Sequence, residues 1–583
     1  MLRGVAKEMS NAEIADAFSE LGTLYELDGA ISYRVLAYRE AAKVIRQSPV
    51  SIAELTRGGR VTELPGIGKT IAEKIVVLLD TGSIPSADKL KAKFPPSLVE
   101  VTMIPGLGAK TVRRLHDELG IATLDDLRAA VAEQRIRGLK GLGPKAEENI
   151  AAQLERLGDE GPSERVLLSD ALPIAERLVE VLREHPGSHA VEVAGSARRL
   201  AETCKDIDLI ATGSDPIGLA KTLVEHPLAA ASGNPSANGA RVTTYNGVAV
   251  DLRIVPPEEY GNLLQHFTGS AAHNVQLRER AVKLGLSVSE HGIKDAETGS
   301  VEKHATESEV YEHLGLAYIE PELREGRGEI KTAADGKLPK LVELADIRGD
   351  LHSHTTLSDG KNTLEEMALA AKAKGYAYFA VTDHSASHGF GDHVTPERLA
   401  ERIEEIAELN QEIGSSRFRV LAGTETNILP DGSLDYEDGL LERLDWVVAS
   451  VHTSFRMTKA KMTARMIAAV EHPLVDCLGH PSGRMLLRRD GYDFDIQAVA
   501  DAAAAAGTMI EINGNPNRRD LSEQNARLVA DAGVKICLNT DAHRVSTLDN
   551  MRYGIATARR AWLTKADIAN TRAWGQFQKL RKR

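Results

Sequence analysis

Hydrophobic and polar positions follow two rhythms along this chain, and the change of rhythm divides it. Up to about residue 160 the apolar residues recur at helical spacing, starting with the amphipathic stretch MLRGVAKEMSNAEIADAF, and they predict an all-helical region. Three glycine hairpins punctuate it: LPGIGKTIAEKI from Leu64, IPGLGAKTVRRL from Ile104 and LKGLGPKAEENI from Leu139. Short apolar runs of strand character then appear in KDIDLI and VAVDLRIV. The polar stretch EPELREGRGEIKTAADGKLPK predicts a linker. Beyond it, apolar blocks alternate with helical segments: YAYFAVTDHS, RFRVLAGTETNIL, LDWVVASVHTS, VDCLGHPSG, GTMIEINGN and VKICLNTDAH. That alternation predicts parallel strands in a barrel or an open sheet, with the functional residues at the strands' C-terminal ends.

The chemistry sits at the edges of these elements. In the hairpins Gly66 and Gly68, Gly106 and Gly108, and Gly141 and Gly143 each flank one apolar residue and precede a helix with Lys or Arg in its first turns. A backbone turning without a Cβ, followed by free helix N–H groups, suits a phosphate oxygen and predicts a sequence-independent hold on DNA. In GSARRLAETCKDIDLI, Gly195 and Ser196 precede Asp206 and Asp208, which face one side of a strand. Asp251 ends a second strand-like run. Three acids on neighbouring strands can hold two divalent ions roughly 3.5–4 Å apart, the arrangement for in-line displacement at phosphorus. In the C-terminal half each strand end carries metal-ligating groups: His352 and His354, Asp383 and His384, Glu425, His452, His480, and Asp541 with His543. Half of the chain's 18 histidines lie between 352 and 543. Imidazole mixed with carboxylate suits Zn²⁺, Mn²⁺ or Fe²⁺, and so large a set can take more than one ion.

Composition narrows the setting. A chain of 583 residues implies about four domains. No apolar run reaches the ~18 residues of a membrane span. Three scattered cysteines, Cys204, Cys477 and Cys537, and a start without an apolar signal core predict a reducing, cytoplasmic (nucleoid-associated) setting. The net charge of −13 predicts DNA contact through local basic patches and backbone amides. With aromatics at 4%, duplex ends or gaps are expected rather than long single strands.

The Gly-Ser turn, the aspartates and QHFTGSAAHNVQLRERA resemble the palm and thumb of the family X DNA polymerases, the polymerase β-like nucleotidyltransferases. The resemblance implies that Gly195, Ser196 and Arg199 hold the triphosphate and that Asp206, Asp208 and Asp251 carry Mg²⁺ or Mn²⁺, with Asp251 nearest the primer 3′-hydroxyl. His266, Phe267 and Gly269 fall beside the sugar, and Asn274 and Arg278 at the nascent pair and template. His266 stands where the animal enzymes carry Tyr. ISYRVLAYREAAKVI with the first hairpin resembles the family's lyase domain, and Lys74 matches its Schiff-base lysine, with Arg34 and Tyr38 beside it in that pocket. A DNA-facing surface lysine fits Lys74 equally well.

DLHSHTTLSDG, TDH, GTETNIL, SVH, GHPSGR and TDAH resemble the ordered motifs of the PHP phosphoesterases. That family implies a distorted (β/α)7-type barrel binding up to three ions, Zn²⁺ and/or Mn²⁺, through His352, His354, Asp359, His384, Glu425, His452, His480, Asp541 and His543. Asn427 replaces an Asp of many relatives, Arg484 is either a phosphate grip or a surface arginine, and His388 and His393 line the rim. The expected fold is multidomain α+β and α/β. Its parts are a helix-hairpin-helix lyase-like domain at 1–90, fingers with two such motifs at 91–160, a palm at 161–256, a thumb at 257–322, a linker at 323–346 and a PHP domain at 347–583. The implied protein is a monomeric gap-filling repair polymerase with a 3′→5′ exonuclease, which relatives extend to abasic-site and 3′-phosphodiester cleavage. Its substrates are gapped or 3′-recessed duplex and deoxynucleoside triphosphates. The rival reading is a PHP nuclease or phosphatase whose inactive polymerase-like half only binds DNA.

Overall fold

The computed structural model describes residues 9–48, 50–102, 104, 107–139, 142–157, 165–387 and 394–582. Gly106, Gly141, His388 and His393 lie outside the described residues. Two compact units emerge: one holds Met1–Val166, Asp170–Val193 and Lys205–Tyr260, the other Leu167–Ser169, Ala194–Cys204 and Gly261–Arg583.

The first unit opens with helices around one apolar core that includes Phe18, Leu24, Ile45, Ile75, Leu98, Leu115 and Leu127. A Ser10 capping box starts the helix Asn11–Leu27, and Gly68 and Gly108 are the N-caps of Lys69–Thr81 and Ala109–Leu119. Gly66 sits at φ +90°, a left-handed turn that a side chain resists. The unit's sheet has five strands among the described residues: β1 (Ser188–Val193), β2 (Asp206–Gly213), β3 (Ala229–Ser232), β4 (Gly239–Thr244) and β5 (Ala249–Ile254). Their spatial order is β1-β2-β5-β4-β3, with β2 and β5 parallel and the other neighbours antiparallel.

The second unit carries a small antiparallel sheet of β6 (Leu286–Ser289), β7 (Gly292–Asp295) and β8 (Val301–Glu302). Its local core takes in Leu277, Tyr311, Ile319, Leu323, Ile330, Ala333 and Leu341. The stretch expected as a linker, 323–346, is therefore built into this core. It forms the helix Glu329–Ala334, and Glu329 is buried against His273 at 2.7 Å. Its polar composition conceals two buried apolar positions one helical turn apart, Ile330 and Ala333.

Seven parallel strands follow, in sequence order across the sheet: β9 (Gly349–Asp350), β10 (Tyr378–Val381), β11 (Arg419–Asn427), β12 (Trp446–Ser450), β13 (Cys477–Leu478), β14 (Met509–Asn513) and β15 (Ile536–Asn539). A parallel bridge between Ser353 and Ala542 brings the two edges together, so the sheet nearly closes as a barrel. The strands are buried on both faces, as continuous apolar runs require. In β10, Tyr378 and Ala380 enter the inner cluster, while Phe379 and Val381 pack outward under the helices. Phe577 plugs the end where the strands begin, 4.8 Å from Tyr378 and 5.5 Å from Trp446. The opposite end is left to the ligand loops.

Candidate functional site

The barrel's candidate ligands converge on one carboxylate. Glu425, fully buried on β11, has His480 Nε2 at 2.7 Å and His452 Nε2 at 3.2 Å from Oε1. Its Oε2 lies 2.9 Å from His384 Nδ1, 3.4 Å from His352 Nε2 and 3.6 Å from His354 Nε2. Asp541 Oδ1 is 3.1 Å from His354 Nε2, and Asp359 Oδ1 is 3.2 Å from His543 Nε2. Strand ends place them all: His352 and His354 follow β9, His384 follows β10, His452 follows β12, and His480 follows β13. His480 at φ +24° and Asp541 at φ +53° are held in the left-handed region, local strain of the kind that persists where surroundings fix a side chain's aim.

Electrostatics follow from this crowding. Burial alone would raise Glu425, but His452, His352, His384 and His480 hold it well below the carboxylate range. His354 drops to about 4 through burial and the neighbouring His543 and His384, so it presents lone pairs at neutral pH. His452 drops to about 4 by burial despite Glu425. Burial pulls His543 down, but the hydrogen bond it donates to Asp359 and the charge of Asp541 push it up to about 9.

The donor set fits divalent ions. His354, Asp359, His384 and His543 form one group whose ligand atoms lie within 4.8 Å of one another; His352, His354 and Asp541 form a second, and His384, Glu425 and His452 a third. Shared members make the groups contiguous, as a cluster of up to three ions requires. Buried atoms with no hydrogen-bond partner among the described residues include His352 Nε2, His354 Nε2 and Glu425 Oε2, and all three face this space. Buried polar atoms without partners are costly, and ligation answers that cost.

Sequence reasoning passed over Glu511 and counted Asp383 among the metal-ligating groups, whereas the structure uses Glu511, Asp383 and Asn427 to aim the ligands. Glu511, buried on β14, accepts from His352 Nδ1 at 2.8 Å and from the His480 backbone N–H at 2.8 Å. This bond fixes the tautomer that turns His352 Nε2 toward the cluster. GTMIEINGN places Glu511 at the same strand-end position as the ligands, a signal available without coordinates. Asp383 accepts from Thr355 N–H and Oγ and from Ser358 Oγ, bracing the loop that carries Asp359. Asn427 Oδ1 accepts the His452 N–H at 3.2 Å, so it positions a ligand. Arg484 donates to Glu202 and to the Arg519 carbonyl, which leaves its guanidinium committed within the protein.

The sheet of the first unit gives a looser arrangement. Asp206 and Asp208 share one face of β2, and the register sets Asp208 directly beside Asp251 on parallel β5. All three are partly exposed. Their oxygens do not draw together into a group as tight as those of the barrel. Arg253 approaches Asp251 at 3.7 Å. Gly195, Ser196 and Arg199 belong to the second unit. There Arg199 donates to Glu325 at 3.0 Å and to the Thr268 carbonyl at 2.6 Å. Gly269, at φ +65°, lets it approach, since a Cβ would stand 3.3 Å from the Arg199 guanidinium. His266 lies edge-on to Phe267, and Asn274 donates to the His266 carbonyl at 2.8 Å while accepting from Gln265. Arg278 is placed on the same helix, Ala271–Lys283. Lys74 donates to Ser86 Oγ at 3.1 Å, while Arg34 and Tyr38 gather around Tyr25.

A hairpin-rich helical region, paired acids on a mixed sheet and a barrel lined with imidazole and carboxylate define a multidomain, metal-dependent phosphoryl-transfer protein. Family models match at residues 9–84 (Helix-hairpin-helix domain), 98–156 (SAM-like Helix-hairpin-helix tandem), 263–325 (DNA polymerase beta thumb) and 350–515 (PHP domain). The chain is 36% identical over 579 residues to the DNA polymerase/3'-5' exonuclease PolX of Bacillus subtilis (strain 168), covering 99% of this chain and 100% of the relative. It is 27% identical over 350 residues to DNA polymerase lambda of Rattus norvegicus, 54% of this chain and 56% of that one. A protein named as a phosphatase in Thermoanaerobacter sp. (strain X514) is 31% identical over 238 residues, 38% of this chain and 89% of that one. The chain belongs to the family X DNA polymerases that carry a PHP domain.

Proposed function

We infer that this chain is a DNA polymerase of repair type that fills short gaps, joined to a 3′→5′ exonuclease. The observation that carries the reading is end-to-end likeness to a relative named for both activities, with a candidate metal centre in the barrel and paired acids on the sheet. On this reading Asp206, Asp208 and Asp251 hold Mg²⁺ or Mn²⁺, and Asp251 assists loss of the 3′-hydroxyl proton. Gly195, Ser196 and Arg199 hold the triphosphate; His266, Phe267, Gly269, Asn274 and Arg278 shape the nucleotide's surroundings. The described hairpin glycines Gly66, Gly68, Gly108 and Gly143 grip gapped or 3′-recessed duplex.

In the barrel, His352, His354, Asp359, His384, Glu425, His452, His480, Asp541 and His543 hold Zn²⁺ or Mn²⁺, up to three ions. Bound divalent ions polarise the phosphodiester and offset its charge. The chain's own part is orientation: Glu511 fixes His352, Asp383 steadies the Asp359 loop, and Asn427 anchors His452. The domain boundaries expected from the sequence are kept in this reading, except that 323–346 contributes to the core around Leu277 and Tyr311 rather than hanging free. No described helix is long and apolar enough to cross a membrane, and a monomer near the nucleoid fits the reading.

Primer extension on a one-nucleotide gap tests the first activity and release from 3′-labelled DNA the second. Failure of the wild-type protein to incorporate removes the polymerase. The likeness of the barrel to a protein named as a phosphatase favours a second reading, hydrolysis of a small phosphate monoester. Turnover of a generic monoester that outpaces 3′ release, and is lost with it in His354→Gln, selects that reading.

A further inference from the structure

The turn between β8 and the next helix gathers three metal-ligating side chains that neither active centre uses. Glu302 ends β8, His304 follows two residues on, and His313 closes the helix Glu307–His313. His304 Nε2 and His313 Nδ1 lie 2.9 Å apart, with the rings nearly perpendicular at 83°. Glu302 Oε2 stands 3.8 Å from that same His313 nitrogen, and the three donor atoms all fall within 4.8 Å of one another. None of the three residues belongs to the barrel's ligand set or to the acid-bearing sheet.

We propose that Glu302, His304 and His313 form a cation site of the Zn²⁺ class in the thumb, with water completing the coordination. Four observations carry it. An ion at roughly 2.0–2.1 Å from tetrahedral ligands sets them roughly 3.3 Å apart, and the distances of 2.9 and 3.8 Å bracket that spacing. Two imidazole nitrogens facing each other at 2.9 Å cannot both carry protons, so a lone pair already points into the shared space. His304 is buried, so its ring is held edge-on to His313 and away from bulk water. Its backbone is pinned on both sides: the N–H donates to Asn262 Oδ1 at 2.7 Å, and the carbonyl accepts from Gly261 at 2.9 Å.

The donor chemistry selects the ion class. Two nitrogens and one carboxylate suit a borderline ion, whereas Mg²⁺ prefers oxygen and keeps its waters. Two protein elements meet at the site, the end of a strand and the end of a helix. An ion there ties them together and stabilises the thumb by mass action. Without an ion the same geometry is a histidine–histidine hydrogen bond, and the experiment separates the two.

Full-length protein equilibrated with Zn²⁺ and desalted in excess Mg²⁺ is analysed for metal content beside His313→Gln. His313 is partly exposed, so glutamine fits there, and incorporation and 3′ release are expected to stay at wild-type rates. The variant should hold one Zn²⁺ equivalent fewer; equal contents overturn the site. Chemical modification of His313 by diethyl pyrocarbonate gives a second reading on the unmutated chain. Modification should proceed in metal-stripped protein and be blocked by Zn²⁺, and the same rate in both conditions also overturns the proposal.

Discussion

The barrel and the palm-like sheet both offer carboxylates for divalent ions, yet they are assembled differently. In the barrel the acids arrive with their compensation: Glu425 alone meets five imidazoles, and the cluster is buried apart from Asp359 and His543, which stand partly exposed at its rim. On the sheet, Asp206, Asp208 and Asp251 stand partly exposed, with the Arg253 guanidinium 3.7 Å from Asp251. A buried charge set must be nearly balanced before any ion arrives, because desolvation is severe. An exposed set can wait for an ion that comes with its substrate, since water screens the acids meanwhile. On the proposed function, the contrast fits a barrel that retains its metal and a sheet that exchanges it with each nucleotide.

The strongest way to break this contrast is to remove one acid from each centre. Asp251→Asn should cut incorporation on a gapped duplex by about 10³-fold, within the range of a lost general base in a two-ion centre, while 3′ release is untouched. Glu425→Gln should do the reverse, lowering 3′ release by more than about 100-fold and barrel metal content with it. If either substitution abolishes both activities in a folded protein, the centres are not independent.

Glu511 sharpens the comparison, because it acts only through the ligands it aims. Glu511→Gln keeps the shape and should weaken metal affinity and 3′ release by about 10- to 100-fold. Excess Mn²⁺ should restore much of the rate, as it would not for a group in direct contact with substrate.

The buried acid Glu307 tests compensation by arginine in place of imidazole or metal. Burial would raise it, but Arg324 at 2.5 Å and Arg198 at 2.6 Å hold it down to about 2 from an ordinary 4.5. A carboxylate depressed in the folded state contributes stability that is fully present above its unfolded value and fades as pH falls toward the folded one. The melting-temperature gap between wild type and Glu307→Gln should therefore be widest above pH ~5 and shrink toward pH ~3. A gap that stays constant over that range assigns the loss to packing.

Much of this was legible in the order of residues. Strand-end polar motifs in register with apolar blocks pointed to the barrel and to most of its candidate ligands, because a parallel barrel leaves its functional groups only that place to emerge, while Asp359 came from the family resemblance. The face shared by Asp206 and Asp208 follows from strand periodicity, and the pairing of Asp208 with Asp251 needed the sheet register. Other features were hidden for physical reasons. The place of Glu511 in GTMIEINGN is visible in the sequence, but its role needs the fold, which brings its partner His352 from 159 positions away. Arg484 read as either a phosphate grip or a surface arginine, and only the fold brings Glu202 to it. The 323–346 stretch looked solvated because the apolar residues it adds to the core, among them Ile330, Ala333 and Leu341, are spread among charges.

The smallest expected effect concerns the hairpins, and it distinguishes a glycine required by the fold from one required by a ligand. A Cβ built on Gly68, Gly108 or Gly143 meets nothing within 4 Å. Gly68 at φ −79° and Gly108 at φ −71° adopt backbone open to any residue. The folded chain thus gives no reason for glycine at these positions, whereas a phosphate backbone approaching the helix N-terminus does. Gly68→Ala and Gly108→Ala should leave the melting temperature within about 1 °C of wild type, since Ala in place of an unstrained Gly also trims the unfolded chain's entropy. Each should weaken binding to a gapped duplex by a few-fold, on the order of one lost phosphate contact, with a shallower salt dependence. Unchanged affinity together with unchanged stability would mean that DNA is held elsewhere on the first unit, and the hairpins would be no more than helix junctions.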